Sequence, residues 1–271
     1  MQKDKYALLD TDFISKMHII QKDSNNHLID RIMELPGYKF YCHSQIKTEL
    51  SRHNISGSVE WLENKISIGQ IKCYNDEEIL YELENVYGPM TYGIYINLLQ
   101  NACEAYSAGY FEDNFCELQK IDYSKITKIQ FLEKLGMDCD NISTGNNLGE
   151  IKSYVLLQVL SILAGEQIYV FCSDDQNARK GIVSIGNAKC ISVLSSFVRL
   201  KKECDFGQEE AKEYIKSWLD FCTTHNQKVF RVIENSEVLR MCRIPCEQVM
   251  REIYEDKFEE TYTGHLRYKD C

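Results

Sequence analysis

The sequence lacks the features of membrane and secreted proteins. None of its apolar runs approaches the roughly 20 residues that a membrane-spanning helix needs. Residues 1–5 lead directly into a strand-like run, without the hydrophobic segment of a signal peptide. We therefore expect a cytoplasmic protein that makes no membrane contact.

The sequence also lacks the paired cysteine motif of most zinc sites. None of its 12 cysteines forms a Cys-x-x-Cys pair, and Cys242 and Cys246 have no pair of histidines nearby. Most of the cysteines, such as Cys42 and Cys172, fall within apolar strand or helix patterns, where cysteine packs as a small hydrophobic side chain. We therefore expect neither a zinc site nor a disulfide framework.

Basic residues are fewer than acidic ones. The chain has 31 Lys and Arg residues against 41 Asp and Glu residues, which gives a formal net charge of −10. This balance argues against a general nucleic-acid-binding protein, which usually carries a basic face. It does not exclude a nuclease, because an acidic metal centre adds negative charge that bound cations neutralise.

The order of hydrophobic patterns predicts an α/β fold. With 271 residues and 44% apolar content, the chain can bury one large core, or one core and a satellite. Short apolar runs alternate with helical patterns, which favours a parallel sheet flanked by helices. The predicted strands are 6–10, 38–42, 71–74, 168–172 and 190–194, and the predicted helices among them are 13–21, 28–35, 45–52, 59–66, 148–163 and 176–185.

Two segments depart from this alternation. Residues 76–146 show helix-like spacing of apolar residues and no strand pattern, which predicts a helical insertion. Near the end of the chain, residues 209–222 and 245–260 are amphipathic, which predicts a helical C-terminal extension. The expected domains are 1–205, including the insertion, and 206–271.

Carboxylates recur where the predicted strands meet neighbouring helices. Asp10 ends the first strand, and Glu49 lies in the helix after the second. Glu150 begins the apolar helix before the fourth strand, and Asp174 and Asp175 follow that strand directly. Because ligands of open α/β sheets bind at the carboxyl edge of the strands, we expect these acids to converge there. Such a cluster needs a cation or shared protons, and its hard oxygens suit Mg²⁺ or Mn²⁺, which can promote phosphodiester hydrolysis.

In these segments the chain resembles the PIN-domain ribonucleases. Residues 8–12 (LLDTD) resemble the opening strand of that family, and residues 44–50 (SQIKTEL) resemble its second motif. Gly149-Glu150 before an apolar helix resembles the third motif. Residues 173–179 (SDDQNAR) resemble the fourth, in which a Ser/Thr-x-Asp pattern matches Asp175. The resemblance covers about residues 5–75 and 147–200.

The resemblance implies a PIN-like fold and a metal-dependent endoribonuclease that cuts single-stranded RNA. A protein inhibitor, a toxin-like role and a homodimer stay open. The catalytic residues that it implies are Asp10, Glu49, Glu150 and Asp175, with Asp174 as a further ligand of Mg²⁺ or Mn²⁺ and with Asp12 and Ser173 in support.

Each acid also suits an ordinary structural role. Asp12 can cap the helix that follows it, which we prefer to direct ligation, and Asp174 or Asp175 can cap the next helix in the same way. Glu150 suits the first turn of a helix because of the helix dipole, and Glu49 suits a solvated helix face. Five basic residues near the acids are candidates for substrate phosphates, although pairing with neighbouring carboxylates explains them equally well: Lys47, Arg52, Lys152, Arg179 and Lys180.

Two other functions are compatible with the same residues. Asp10 and Asp12 after a strand, with Asp174 and Asp175 after a later one, also resemble the haloacid dehalogenase-like phosphatases. In such an enzyme Asp10 is the nucleophile, and Glu49 and Glu150 take no part. The third candidate is a non-catalytic PIN-like protein that binds nucleic acid through the insertion or the extension.

Overall fold

The computed structural model describes most of the chain, except its two ends and four short internal segments. Residues 1–3 and 143–146, which bear on the signal-peptide prediction and on the end of the insertion, lie outside the described residues. The described ranges are 4–53, 57–142, 147–185, 188–234 and 240–269.

The strands of the described residues form a central sheet, a small hairpin and a C-terminal sheet. In chain order they are β1 (Lys5–Leu9), β2 (Gln21–Asp23), β3 (Asn26–His27), β4 (Tyr38–His43), β5 (Ile71–Tyr74), β6 (Ile168–Cys172), β7 (Ala188–Ile191), β8 (Val229–Ile233), β9 (Met241–Pro245), β10 (Phe258–Glu260) and β11 (Leu266–Tyr268). The central sheet has the order β5-β4-β1-β6-β7, and every neighbouring pair in it is parallel. The predicted α/β class with a parallel sheet is confirmed.

Helices cover both faces of the central sheet. In chain order they are α1 (Thr11–Ile19), α2 (Leu28–Met33), α3 (Gln45–His53), α4 (Ser58–Ser67), α5 (Asp76–Tyr87), α6 (Thr91–Tyr106), α7 (Tyr110–Asn114), α8 (Lys128–Ile142), α9 (Leu148–Ala164), α10 (Gln176–Ile185), α11 (Val193–Cys204), α12 (Gln208–Thr224) and α13 (Cys246–Tyr254). Within the described part of the chain, none of these helices is long and apolar enough to cross a membrane.

The sheet separates two hydrophobic cores. Successive side chains of a strand point to opposite faces, so Ala7 and Leu9 of β1 enter one core and Leu8 enters the other. The first core contains side chains of α1 to α4 and α11, and the second contains those of α9, α10 and the insertion. The buried residues of β1, Ala7 to Leu9, are therefore apolar, and the buried carboxylate Asp10 follows directly at the carboxyl end of the strand.

The insertion is helical over its described residues, as predicted. α5 to α8 and two 3₁₀ turns (Gly88–Met90 and Leu118–Lys120) occupy residues 76–142. α9 packs between the insertion and the sheet, with α5 and α6 against it on one side and β4 against it on the other. This position explains why α9 is apolar around most of its surface.

The predicted strand at 190–194 is wrong at its carboxyl end. β7 stops at Ile191, and Ser192 caps α11, a helix that the sequence patterns did not indicate. The Ser192 side chain accepts a hydrogen bond from Ser195 N, and the Ser195 side chain accepts one from Ser192 N. This capping box turns an apolar run into the first turn of a helix.

The prediction of a helical C-terminal extension is only partly right: α12 confirms the predicted helix 209–222, but the extension also contains a sheet. β8 to β11 form a four-stranded sheet in the order β10-β11-β8-β9 beside α12 and α13. The predicted helix 245–260 ends at Tyr254, because Asp256 has a positive φ of 65° and β10 follows. Side chains of this segment, among them Trp218 and Val249, enter the same core as α1 and α2. The described residues beyond 205 therefore share a hydrophobic core with the region before them.

Candidate active site

Asp10 lies at the carboxyl edge of the central sheet. α1 begins at Thr11, so Asp10 occupies its N-cap position, but the Asp10 side chain makes no capping hydrogen bond. The residue is 1% exposed, and its Oδ2 accepts a hydrogen bond from Ser173 Oγ over 2.7 Å. Ser173 follows β6, whose Cys172 pairs with Leu9 of β1. The parallel pairing of these two strands brings Ser173 to Asp10.

Glu49 reaches the same edge from α3. Its Oε2 accepts a hydrogen bond from Thr11 Oγ1 over 2.7 Å, and its Oε1 accepts one from Gly149 N over 2.8 Å. A Cβ atom at position 149 would lie 2.2 Å from Glu49 Oε2. Glycine at this position therefore allows the carboxylate to approach the first turn of α9. Glu49 is a fixed, half-buried group and not an ordinary solvated helix carboxylate.

Glu150 lies in the first turn of α9 and interacts with Asp10. Its Oε2 is buried and has no hydrogen-bond partner among the described residues. Burial raises the pKa of Glu150 to about 8, and the charge of Asp10 acts in the same direction. Burial also raises the pKa of Asp10 to about 7, with the charges of Asp12 and Glu49 adding to the effect. The structure therefore brings Asp10, Glu49 and Glu150 together as carboxylates that repel one another.

Asp175 caps α10 and borders this group. Its Oδ1 accepts hydrogen bonds from Asn177 N over 2.7 Å and from Ala178 N over 2.8 Å. Asp175 is exposed, and its charge is among those that raise the pKa of Glu150. The capping role that the sequence allowed for Asp175 is therefore present, and its charge also acts on Glu150.

Lys16 neutralises the two remaining candidate acids. Its Nζ lies 2.9 Å from Asp12 Oδ2 and 2.7 Å from Asp174 Oδ2. Burial alone would lower the pKa of Lys16, but Asp174 and Asp12 raise it above its ordinary value. Asp174 Oδ1 also accepts a hydrogen bond from Val193 N over 3.2 Å. Asp174 is thus held in an ion pair at the first turn of α11, which argues against its prediction as a metal ligand.

Sequence reasoning missed Lys16 and misplaced Asp12. The only local signal for Lys16 was its i,i+4 spacing from Asp12, because Asp174 reaches it from a distant segment. The prediction that Asp12 caps α1 is wrong, since the helix begins one residue earlier and Asp12 lies in its first turn.

The predicted phosphate contact of Lys152 is wrong. The residue is 1% exposed, and its Nζ donates hydrogen bonds to Asp76 Oδ1 over 2.7 Å and to Tyr95 Oη over 3.0 Å. Burial alone would lower the pKa of Lys152, but Asp76 holds it well above its ordinary value. Residues two apart on a helix point in nearly opposite directions, so Lys152 faces the insertion while Glu150 faces the acids.

The predicted phosphate contact of Arg179 is also wrong. Its Nε donates a hydrogen bond to Thr263 O over 3.0 Å, and its Nη1 donates one to Ser173 O over 2.9 Å. The guanidinium is buried and links the end of β6 to the loop before β11. Arg179 therefore fixes the backbone around Ser173 and does not face solvent.

The other basic candidates lie on the surface. Lys47 and Arg52 are exposed on α3, where Lys47 pairs with Glu63 of α4. Lys180 is exposed on α10, one turn beyond the residues whose N–H groups Asp175 caps. Of the five predicted cations, these three are placed where a substrate can reach them.

The carboxylates have the chemistry of a divalent-cation site without forming a complete one. Among the described residues, no group of three or more His, Cys, Asp or Glu side chains is arranged to hold a metal ion. Asp10 and Glu150 nonetheless fit Mg²⁺ or Mn²⁺, because they are hard oxygen donors with raised pKa values and Glu150 Oε2 has no partner. Glu49 already accepts two hydrogen bonds, so Asp10 and Glu150 are the stronger candidates for direct ligation.

Comparison with known proteins adds no assignment. The chain matches no protein-family model, and no curated protein sequence matches it significantly. The chemistry of the site therefore has to be inferred from its own residues.

Proposed function

We propose that the protein is a metal-dependent endoribonuclease that hydrolyses single-stranded RNA and belongs with the PIN-domain ribonucleases that it resembles. The observation that carries the proposal is the pair formed by the buried Asp10 and the half-buried Glu150, whose Oε2 is buried, at the carboxyl edge of a parallel sheet. Their raised pKa values and the unpartnered Glu150 Oε2 favour a bound cation at neutral pH.

Asp10 and Glu150 would hold Mg²⁺ or Mn²⁺. Such an ion would supply an activated water molecule and would stabilise the leaving oxygen of a phosphodiester. The other residues of the site position these two. Ser173 orients Asp10 through its hydroxyl, and Glu49 holds the first turn of α9, which carries Glu150, at a fixed distance from α1.

Lys16 limits the negative charge that a phosphate substrate meets. It pairs with both Asp12 and Asp174, so these two acids do not add their full charge to the site. The exposed Lys180 lies on α10, the helix that Asp175 caps, and we infer that it is the best placed of the predicted cations to contact a phosphate of the RNA.

The phosphatase alternative fits the geometry less well. A nucleophilic aspartate must reach the phosphorus atom itself, whereas Asp10 is 1% exposed and accepts a hydrogen bond from Ser173. Asp12, the general acid of that scheme, is paired with Lys16. That scheme also leaves the fixed position of Glu49 and the raised pKa of Glu150 without a role.

The test is incubation of the purified protein with end-labelled single-stranded RNA in Mn²⁺ or EDTA, beside a parallel assay with p-nitrophenyl phosphate. We expect internal RNA cleavage that needs Mn²⁺ and that Glu150→Gln abolishes, with Tyr81→Leu, a surface variant on α5, as the matched control. Hydrolysis of p-nitrophenyl phosphate that survives Glu150→Gln would support the phosphatase instead. Metal-independent RNA binding without cleavage would support the non-catalytic alternative.

A further inference from the structure

A groove with a volume of about 680 Å³ lies between the insertion and the beginnings of α9 and α10. Two aromatic rings, two amides and one cation line it: Tyr106, Tyr110, Asn147, Asn177 and Lys180. We call it the tyrosine groove. Its tyrosines come from the end of α6 and the start of α7, so the insertion supplies its aromatic wall.

The tyrosine groove adjoins the carboxylates. Asn147 immediately precedes α9 and stands three residues before Glu150, and the backbone N–H of Asn177 is one of the two that Asp175 caps. Burial raises the pKa of Tyr106, and the charges of Glu150 and Asp175 add to the effect. The acids are therefore close enough to the groove to act on its tyrosines.

The side chains of the groove have the chemistry that a nucleotide needs. The rings of Tyr106 and Tyr110 meet edge to face, with centroids 5.2 Å apart and planes at 81°, and both are half-buried. This arrangement leaves aromatic surface at the groove on which a base can stack. Asn147 and Asn177 carry amide groups that can hydrogen-bond base edges, and Lys180 carries an exposed positive charge for a phosphate.

The amide and lysine side chains of the tyrosine groove have no partners among the described residues. In the described ranges, the side chains of Asn147, Asn177 and Lys180 make no hydrogen bond or ion pair. An unpaired lysine on α10, the helix that Asp175 caps, stands out in a chain with a net charge of −10. An anionic ligand with an aromatic part satisfies both the cation and the tyrosines.

We propose that the tyrosine groove binds one nucleotide of single-stranded RNA next to the phosphate that is cut, with its base against Tyr106 or Tyr110. This inference rests on the proposed function and specifies its substrate. Single strands expose the faces of their bases, whereas a duplex buries them, so the groove also favours single-stranded over double-stranded RNA. Stacking is tolerant of base identity, and the groove therefore contributes affinity more than sequence specificity.

The first test measures binding without cleavage. The Glu150→Gln protein is titrated into a fluorescein-labelled 12-nucleotide single-stranded RNA in Mn²⁺, and anisotropy gives Kd. We expect Tyr106→Leu or Tyr110→Leu, added to this background, to raise Kd about 5- to 150-fold. Tyr81→Leu, which removes a tyrosine that is 58% exposed on α5, should leave Kd unchanged. Lys180→Gln should weaken binding and make it less dependent on salt.

The second test asks whether a base contacts the groove. The two native tryptophans, Trp61 and Trp218, are 9% and 2% exposed, so a tryptophan introduced as Tyr106→Trp reports mainly on the groove. Its fluorescence should fall when oligo(A) binds and should change little with an abasic ribose-phosphate oligomer of the same length. Equal quenching by both oligomers would show that only the backbone binds and would overturn the inference.

The outcomes separate this inference from the proposed function. If wild-type protein cuts RNA in Mn²⁺ while Tyr106→Leu and Tyr110→Leu bind it as tightly as their background, the nuclease proposal stands and the groove proposal is wrong. If wild-type protein neither binds nor cuts RNA, both are wrong. Circular dichroism of each leucine variant checks that the fold is retained, and the tryptophan variant provides an independent measurement where a leucine variant fails to fold.

Discussion

The stability of the metal-free protein should depend on pH through Asp10, and Asp10→Asn should remove that dependence. Asp10 has its pKa raised from 3.8 to about 7, chiefly by burial. A carboxyl with a raised pKa binds its proton more tightly in the folded state. Its contribution to stability is therefore complete below about pH 3.8 and is lost as the pH rises through 7.

The size of the effect follows from the same pKa values. One pKa unit corresponds to about 1.4 kcal/mol, so the full change from 3.8 to about 7 amounts to about 4 kcal/mol above pH 7. Asp10 and Glu150 interact, so part of this cost is shared between them. We expect Asp10→Asn to increase the free energy of unfolding by about 1–4 kcal/mol at pH 8.5 and by little at pH 4. Asparagine is nearly isosteric and can still accept the hydrogen bond from Ser173.

Urea denaturation in EDTA at several values between pH 4 and 8.5 measures this difference. Asp138→Asn is a matched control, because Asp138 is also 1% exposed but lies in the insertion, where its two oxygens accept hydrogen bonds from Glu117 N and Leu118 N. That variant should lose about 1–3 kcal/mol, since an amide cannot accept both bonds. If Asp10→Asn is no more stable than wild type at pH 8.5, burial and the neighbouring charges do not raise the pKa of Asp10 as described.

The remaining predictions concern the cation, the acids around it and a buried lysine. At pH 8, Mn²⁺ at about 100 times its Kd should stabilise wild type by about 2.7 kcal/mol, and a similar thermal shift in Asp10→Asn would contradict its role as a ligand. Glu150→Gln should shift the RNA turnover curve to higher Mn²⁺ or abolish turnover, whereas Glu150→Asp should be milder because it keeps the charge; identical curves for wild type and Gln would exclude the role. Gly149→Ala should reduce turnover and lower the unfolding free energy by about 1–3 kcal/mol, because its Cβ would displace the Glu49 carboxylate from its two hydrogen bonds, and full activity would refute this. Lys152→Met should lower the unfolding free energy by about 1–3 kcal/mol, because the half-buried Asp76 loses its lysine partner and keeps only Tyr95 and His43, and a fully stable variant with weak RNA binding would restore the phosphate role.

The central sheet was predictable because its signals are local. β5, β6 and α10 have the bounds that the sequence patterns indicated, and β1 differs by one residue at each end. Parallel strands buried on both faces are short continuous apolar runs, and such runs stand out between helical patterns. Because β1 and β6 are parallel, their carboxyl ends lie at the same edge of the sheet, and Asp10 and Ser173, which follow these strands, meet there.

The C-terminal sheet was not predictable in the same way. β10 and β11 have three residues each, and β11 meets β8 at a single register pair, Arg267 with Ile233. Strands this short show no alternation that distinguishes them from a helix end or a loop, and their pairing joins segments distant in sequence. The ion pair of Lys152 could not be predicted for a similar reason, because its partner Asp76 belongs to a distant segment of the chain.

The acids at the carboxyl edge of the central sheet show why the net charge of a chain does not indicate which of its carboxylates need a bound cation. Lys16 neutralises two of the acids. Glu49 and Asp175 accept backbone N–H groups at the first turns of α9 and α10, where the helix dipole favours negative charge. Asp10 and Glu150 also stand at helix N-termini, but Asp10 makes no capping hydrogen bond, Glu150 Oε2 has no partner, and neither acid has a cation among the described residues. These two are the residues whose pKa values rise to about 7 and about 8. The unneutralised negative charge is therefore concentrated on Asp10 and Glu150, beside the tyrosine groove. A metal ion bound there can neutralise these carboxylates and a substrate phosphate at the same time.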